Sequence, residues 1–246
     1  MTFSNICFKL TIEMIDKAKR SSTDCDLALR TRQRLLEVAG EVFAEQGYRA
    51  ATIREICKRA GANVAAVNYH FRDKDGLYAE CLTYWMNEAL KRYPRDMGVT
   101  ATSSPAERLH AFVRSFLFRI LDESRHSCYG KLIARNLVEN TPFVEICVEQ
   151  SFRPSSDLLE TIIREIVGPK VSQEQVRLAG ISIFGQITFH RHARFAVGKV
   201  YPEITYTDAD LERLARQITD FSLAGLRALP RAIEHDVNSE NEQGAL

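Results

Sequence analysis

The stretch from residue 52 to residue 74, TIREICKRAGANVAAVNYHFRDK, constrains the fold of this chain more than any other. Thr52 followed by Glu55 is the pattern of a capping box, which satisfies the free amides that open a helix. Gly61 favours the left-handed turn that ends a helix, and the side-chain oxygen of Asn63 can cap a second helix. Two short helices joined by a turn of about three residues with a glycine predict a helix-turn-helix.

Helical spacing separates the residues of these two helices into an inward and an outward set. The expected inward residues are Ile53, Ile56, Cys57, Ala60, Ala62, Val67 and Phe71. Small side chains at the start of the second helix let its backbone lie deep in a DNA major groove, where an Asn can pair with adenine. We therefore assign base discrimination to Asn68 and its neighbours, and phosphate contacts to Tyr69, His70 and Lys74. The full set of predicted DNA-binding residues is Thr52, Arg54, Asn63, Val64, Ala65, Ala66, Asn68, Tyr69, His70 and Lys74.

Residues 31–82 resemble the DNA-binding domain of the TetR family of one-component bacterial regulators. The resemblance lies in RLLEVAGEVFAEQGY, in TIREI and Ala60-Gly61, and in YHF followed by Lys74, Gly76, Leu77 and Tyr78. The chain departs from many relatives at residues 65–68, where AAVN stands in place of Gly-Thr-Leu-Tyr. This departure bears on base preference and not on the fold. The resemblance implies a ligand-responsive repressor that binds a near-palindromic operator as a homodimer.

The length of 246 residues is sufficient for two domains, and no sustained strand alternation is present. We predict an all-α fold, with an N-terminal three-helix helix-turn-helix DNA-binding domain and a C-terminal helical ligand-binding and dimerisation domain. A helix from residue 73 or 74 to residue 93 leaves the first domain and enters the second. The predicted segments are an N-terminal extension at 1–28, the DNA-binding domain at 29–88, the effector-binding and dimerisation domain at 89–230, and a polar tail at 231–246.

The first 29 residues have no strong periodicity, and the first helix is predicted to run from Thr31 to Gln46. Two interpretations of the extension remain open. It is a basic arm, with Lys17, Lys19 and Arg20, that reaches along DNA, or it is a loosely held extension. We favour the loosely held extension, since chain termini are usually poorly fixed. The tail beyond residue 230 is likewise expected to fray.

Further helices are predicted after Pro105, with breaks at residues 140–142, at Arg153-Pro154 and at 168–169. The last two are expected at about 173–197 and 208–229, and both are more apolar than a helix with one buried face requires. In TetR-like proteins the last two long helices form a four-helix dimer interface, and the resemblance implies that role here. The alternative is that they only complete the monomer core. The segments RNLVENTP, FGQITFHRHAR and FSLAGLRAL also resemble the CecR-like branch of the family.

Aromatic and polar residues in the C-terminal half are candidates for an effector pocket, because small-molecule sites combine apolar walls with a few polar anchors. The alternative is that these aromatic residues belong to an ordinary core. The candidate pocket residues are Phe112, Phe116, Tyr129, Phe184, Gln186, Phe189 and His190.

Other classes of function have weaker signals. The net charge of +1 excludes a general polycation, so DNA affinity must come from a local basic patch. We expect no cofactor, no catalytic residues and no enzyme, since phosphate-binding glycine loops and the G-x-S-x-G pattern are absent from the sequence. His190 and His192 do not share a helix face, which argues against a metal site even with His126 and Cys128. A metal-sensing regulator, a helical enzyme with an appended DNA-binding module, and an architectural DNA binder are the alternatives.

The sequence also bears on location. The six cysteines are scattered without a C-x-x-C pair, as expected in a reducing cytoplasm. No apolar run approaches the ~20 residues that cross a bilayer, and we therefore predict a cytoplasmic protein without a membrane partner.

Overall fold

The computed structural model describes residues 26–100, 102–122, 124, 128–139 and 141–230 with their side chains, and residues 3–25 and 231–243 by their backbone alone. Within these ranges the regular secondary structure is entirely helical, which confirms the predicted all-α class. The chain divides into two compact units between Cys81 and Leu82.

The first unit is built from three helices and the start of a fourth. These are α1 (Phe3–Ala50), α2 (Ile53–Ala60), α3 (Val64–Phe71) and α4 (Lys74–Arg92), which continues into the second unit. Its core forms where α1 packs on α2 and α3. The ring of Phe43 meets the ring of Tyr78 edge-on, with centroids 4.6 Å apart. Fully or nearly fully buried side chains of this core are Leu35, Val38, Ala39, Val42, Phe43, Ile56, Cys57, Val67, Phe71, Leu77 and Tyr78.

The first helix begins much earlier than predicted. We expected it to start at Thr31, but α1 starts at Phe3 and includes most of the predicted extension. No glycine or proline precedes Gly40 in the sequence, so nothing in this stretch forces the helix to stop. The side chains of Lys17, Lys19 and Arg20 lie outside the described residues. The predicted break at Gly47 is confirmed, with φ 81° and ψ 166° there.

The predicted caps of α2 and α3 are confirmed with one difference. The Thr52 side chain accepts the Glu55 amide at 3.2 Å, and Gly61 ends α2 with φ 66°. The Glu55 carboxylate, however, accepts a 2.7 Å hydrogen bond from Arg59 one turn on instead of completing the capping box. Asn63 caps α3 by accepting the Ala65 amide at 3.0 Å.

Gly76 allows α4 to begin directly after α3. A Cβ at this position would overlap the carbonyl oxygen of Phe71, so we expect Gly76→Ala to lower the free energy of unfolding by about 1–3 kcal/mol. Urea denaturation followed by circular dichroism measures this loss. Gly198→Ala is the matched control, because a Cβ there meets no atom within 4 Å. Equal stability of the two variants would contradict the close approach at Gly76.

The second unit contains the remaining helices around a core centred on α5. The helices are α5 (Pro105–Leu121), α6 (Tyr129–Glu139), α7 (Val144–Cys147), α8 (Arg153–Val167), α9 (Gln173–His192), α10 (Arg194–Val200) and α11 (Asp208–Gln243). α5 packs against α6, α8, α9 and α11. Helical spacing predicts one apolar stripe on α5, and this stripe is buried: it consists of Leu109, Phe112, Val113, Phe116, Leu117 and Ile120.

Three predicted helix ends in this unit are wrong. Arg153-Pro154 does not interrupt the chain, because a π-helical turn at Val148–Phe152 leads into α8 and Pro154 falls in the first turn of α8, where its missing amide proton is not needed. The expected helix 173–197 is instead divided at Ala193. α11 continues past Pro230 to Gln243, since one proline removes a single donor.

Two apolar residues of α6 also differ from expectation. Helical spacing predicts that Leu137 and Val138 lie on the apolar side of this helix with Leu132 and Ile133, but they are 43% and 75% exposed.

Candidate functional site

The helix predicted to read DNA presents most of its candidate residues to solvent. Val64 is 41% exposed and Tyr69 80% exposed, and Ala65 and Asn68 are also exposed. Ala66 and His70 are half-buried, as expected for positions at the edge of the exposed face. The exposed face of α3 is therefore made of short side chains at its N-terminal end and of Asn68 and Tyr69 further along.

Two buried residues fix the orientation of this face. Val67 and Phe71 are 0% and 2% exposed and turn the opposite side of α3 into the core of the first unit. The Arg32 guanidinium lies 5.4 Å from the centroid of the Phe71 ring and also pairs with Glu80. Arg72 then ends α3 with φ 73°, so the candidate reading helix has a defined length of about two turns.

The ammonium group of Lys74, predicted to contact phosphate, is engaged within the protein. Its Nζ donates to the carbonyl oxygen of Arg49 at 3.3 Å and lies 4.6 Å from the centroid of the Tyr48 ring. The hydroxyl of Tyr48 bonds to Asp75, and this bond is the main cause that raises the pKa of Tyr48 to about 12. Lys74 thus ties the start of α4 to the segment that follows Gly47.

The polar residues at the start of α2 and along it differ in what they contact. Thr52 is exposed, and its hydroxyl caps the helix. Arg59 pairs with Glu45 at 2.8 Å and with Glu55 at 2.7 Å. Arg54 and Lys58 are exposed and form no ion pair among the residues that the structure describes. They are the cations of this helix that remain available to a phosphate.

Three of the candidate effector residues lie together in the second unit. The rings of Phe112 and Phe116 have centroids 6.1 Å apart, and Phe184 meets them edge-on at 5.8 Å and 5.2 Å. Phe112 and Phe116 are almost fully buried. A fourth candidate, Tyr129, is 2% exposed, and its hydroxyl lies 2.8 Å from the Ser151 hydroxyl.

The other three candidates do not join this aromatic cluster in one cavity. Gln186 donates to the Ser222 hydroxyl at 3.4 Å and lines a separate cavity of about 220 Å³ between α9 and α11. Phe189 is 57% exposed. Nδ1 of His190 lies 3.3 Å from the Tyr206 hydroxyl, and burial lowers the pKa of this histidine.

Sequence reasoning missed Arg119, which is 1% exposed inside the second unit. The sequence does contain a sign of this buried residue, because an arginine interrupts the apolar run FLFRIL on the buried stripe of α5. A charged residue at such a position is rarely buried without a partner.

The sequence predicts neither a metal site nor a membrane span. Within the described residues, no group of three or more His, Cys, Asp or Glu side chains is arranged to hold a metal ion, and His126 lies outside them. No described helix has both the length and the apolar character that crossing a bilayer requires.

Two family profiles match the chain at positions that agree with the two units. Residues 35–81 match the tetR family of bacterial regulatory proteins. Residues 105–226 match the C-terminal domain of the HTH-type transcriptional dual regulator CecR. The resemblance to the CecR-like branch is thereby confirmed.

Relatives of the chain match mainly through its N-terminal part. The HTH-type transcriptional repressor KstR2 of Mycobacterium tuberculosis is 40% identical over 86 residues, which is 35% of this chain and 42% of KstR2. The HTH-type transcriptional regulator AcrR of Shigella flexneri is 42% identical over 53 residues, or 22% of this chain and 25% of AcrR. The chain therefore spans less than half the length of these relatives.

Solved structures agree in fold over a larger share of the chain. The ketosteroid transcriptional regulator KstR2 of Mycobacterium tuberculosis has a TM-score of 0.54 at 21% identity, covering 79% of this chain and 93% of that one. The TetR family regulator PfmR of Thermus thermophilus has a TM-score of 0.55 at 19% identity, covering 78% and 97%. The two family profiles show that the chain belongs to the TetR family of transcriptional regulators, which are not enzymes.

Proposed function

We propose that this protein is a repressor that binds a near-palindromic DNA operator as a homodimer and is released from it by a small molecule. The observation that carries the proposal is the exposed face of α3, which has small side chains at its N-terminal end and Asn68 beyond them. A helix of this kind can approach base edges closely in a major groove. Because its target is DNA, we also propose that the protein acts in the cytoplasm.

In the bound state, base discrimination comes from Asn68 with Val64, Ala65 and Ala66. Asn can make a bidentate contact to adenine, and the smaller side chains allow the approach that this contact needs. Thr52, Arg54 and Lys58 contribute phosphate contacts at the same surface, which position the helix and make binding depend on salt. Asn63 caps α3 and so fixes the N-terminal end of this helix. The remaining free amides at that end face the DNA backbone, where they can bind a phosphate.

Dimerisation is supported by an apolar face on the last two long helices, here called the α9–α11 face. Leu178 and Ile181 on α9 are 55% and 65% exposed, and Phe221 on α11 is 66% exposed. Ala224 and Gly225 beside Phe221 are exposed and small enough for a second helix to approach closely. Exposed apolar patches of this kind mark interfaces in soluble proteins, and a second copy of the chain is their commonest partner.

Release by an effector requires that the two states of the protein differ in affinity for the ligand. We propose that ligand binding in the second unit changes the separation of the two α3 helices in the dimer. Both helices must enter successive major grooves about 34 Å apart, so a change of a few ångströms weakens binding strongly.

The proposal is tested by selecting preferred sequences from a random pool of DNA duplexes. Fluorescence anisotropy then measures binding to the most enriched duplex, called the selected duplex. We expect a sequence with two inverted half-sites and a steep loss of affinity with rising salt. If the selection enriches no sequence even at low salt, the proposed function is excluded.

Lys74→Ala is expected to lower affinity about 3–10-fold for every duplex, preferred or not. The lost hydrogen bond of Lys74 to Arg49 loosens the start of α4 against α1, at a cost of about 1 kcal/mol. Anisotropy titrations with the selected duplex and with a scrambled duplex measure the effect. Lys91→Ala is the control, because Lys91 is a 73% exposed lysine near the end of α4. A loss confined to one base position would contradict a positioning role.

A further inference from the structure

Arg119 carries a buried positive charge that the described residues compensate only in part. Its side chain is 1% exposed, and neither Nη1 nor Nη2 has a hydrogen-bond partner. Nε donates to the carbonyl oxygen of Ser115 at 3.4 Å, and the guanidinium carbon lies 4.9 Å from the centroid of the Phe116 ring. Among the residues with described side chains, no carboxylate pairs with it. Because a guanidinium stays protonated at ordinary pH, the donors on both terminal nitrogens are left unused.

Two polar residues, Tyr129 and Arg95, lie near Arg119. Burial is the main cause that lowers the pKa of Arg119; the nearby Tyr129 hydroxyl raises this pKa, and the charge of Arg95 lowers it further. The Tyr129 hydroxyl lies 2.8 Å from the Ser151 hydroxyl. Arg95 donates to the Ser155 hydroxyl at 3.4 Å. This part of the second unit therefore contains two arginines and the hydroxyl groups of Tyr129, Ser151 and Ser155, and among the described residues no carboxylate forms an ion pair with either arginine.

The backbone beside this cluster is irregular. Ser151 belongs to the π-helical turn Val148–Phe152 and is 1% exposed. Such turns are rare and occur frequently at functional sites. Here the turn brings the Ser151 hydroxyl to Tyr129, so the irregular backbone and the unpaired guanidinium occur at the same place.

A buried cation is costly unless hydrogen bonds or an opposite charge compensate it. An oxyanion supplies both, since a guanidinium can donate two parallel hydrogen bonds to a carboxylate or phosphate group. We propose that Arg119, together with Tyr129, Ser151 and Arg95, forms a buried subsite for an oxyanion, and that the effector is an organic acid. This inference rests on the proposed function and names the chemical class of the ligand.

The apolar part of the acid would lie against the aromatic cluster. The centroid of the Phe116 ring lies 4.9 Å from the guanidinium carbon of Arg119 and 5.2 Å from the centroid of the Phe184 ring. The cavity beside Phe116 has a volume of only about 20 Å³. The helices around it must therefore separate when the acid binds, which gives the ligand different affinities for two conformations of this unit.

The test measures thermal unfolding of the full chain with four probes at constant ionic strength: inorganic phosphate, acetate, octanoate and octanol. Octanoate at about 100 times its Kd is expected to raise the Tm by about 5–10 °C, whereas uncharged octanol is not. The shift should disappear in Arg119→Met and persist in Arg177→Met, a matched change at a 65% exposed side chain on α9. An equal shift with octanol, a shift retained in Arg119→Met, or no shift with any anion would overturn the proposal.

The probes also separate two sources of the oxyanion. Protection by phosphate or acetate as well as by octanoate would mean that a free inorganic or small anion fills the subsite. Protection by octanoate alone would mean that the acid group must be attached to an apolar body. Both outcomes support the subsite, and each identifies its occupant.

A second measurement needs no ligand. Met fills a similar volume without charge, so Arg119→Met is expected to unfold at the same or a higher temperature than the unchanged protein. A lower Tm would show that the guanidinium holds the unliganded fold together, which contradicts an unpaired cation. Arg119→Lys keeps the charge but loses the planar set of donors that can bind both oxygens of a carboxylate. Calorimetry should show that this variant binds octanoate at least about 10-fold more weakly than the unchanged protein.

DNA binding separates failure of the subsite from failure of the regulator. Arg119→Met should bind the selected duplex normally and should no longer be released by octanoate. If the unchanged protein binds no duplex while octanoate still raises its Tm through Arg119, the proposed function fails and the subsite stands.

Discussion

Ile181→Glu is expected to convert the dimer into monomers and to lower affinity for the selected operator at least about 100-fold. Ile181 is 65% exposed within one chain, so the substitution should leave the protomer folded. In the dimer the two new carboxylates would lie within the α9–α11 interface, and unpaired charges buried in an interface are strongly unfavourable. The loss on DNA follows because a monomer reaches only one half-site at a time.

The matched control is Val138→Glu. Val138 is 75% exposed on α6 and lies outside the α9–α11 face, so this variant should keep both the dimer mass and the affinity. Sedimentation velocity gives the mass and fluorescence anisotropy gives the affinity on the same samples. If the Ile181→Glu variant is still a dimer, the α9–α11 face is not the dimer interface. If the variant is a monomer but binds the operator with full affinity, DNA binding does not require a dimer.

Asn68→Ala should lower affinity for the preferred operator by about 5–150-fold per half-site, which corresponds to the 1–3 kcal/mol of a bidentate base contact. Since each protomer contributes one Asn68, the two losses combine in the dimer. The side chain is exposed, so the stability of the fold should not change. Affinity for a scrambled duplex should change little, because phosphate contacts supply that binding.

The measurement for Asn68 is a repeated selection from the random pool. One base position in each half-site should lose its preference, while Asn87→Ala, at an exposed position on α4, should give the unchanged pattern. A pattern for Asn68→Ala that matches the unchanged protein would reject a role for Asn68 in base discrimination. The face of α3 would then have to read DNA through its smaller residues.

The start and end of the short helices could be predicted from single residues. Thr52, Gly61 and Asn63 act through bonds to atoms only two to four residues away, so their local sequence contains the whole cause. The buried stripe of α5 was predictable for a similar reason, because helical periodicity alone decides which side chains share a face.

Other features depend on contacts that are distant in sequence. The role of Lys74 could not be predicted, because the carbonyl oxygen that it binds belongs to Arg49, 25 residues earlier. Phe189 was assigned to a pocket, yet the packing of α9 leaves it exposed. Ile181 and Phe221 lie at positions where helical spacing predicts an apolar face, but this spacing is the same whether a residue is buried by its own chain or by a partner.

Arg119 shows a further limit. The sequence places a charge on an apolar stripe, but whether that charge meets a carboxylate, reaches solvent or remains unpaired depends on how α5, α6 and α8 pack. In the described residues it remains unpaired. The chemical character of the proposed ligand therefore came from the packed structure and not from the motif.

The central claim is that two α3 helices, held at one separation by the dimer, bind DNA together. The direct measurement is the affinity for the selected operator before and after about 5 base pairs are inserted between its half-sites, which turns one half-site to the opposite side of the duplex. We predict a loss of at least about 100-fold, down to the affinity for a single half-site. Equal affinity for both duplexes would contradict the claim.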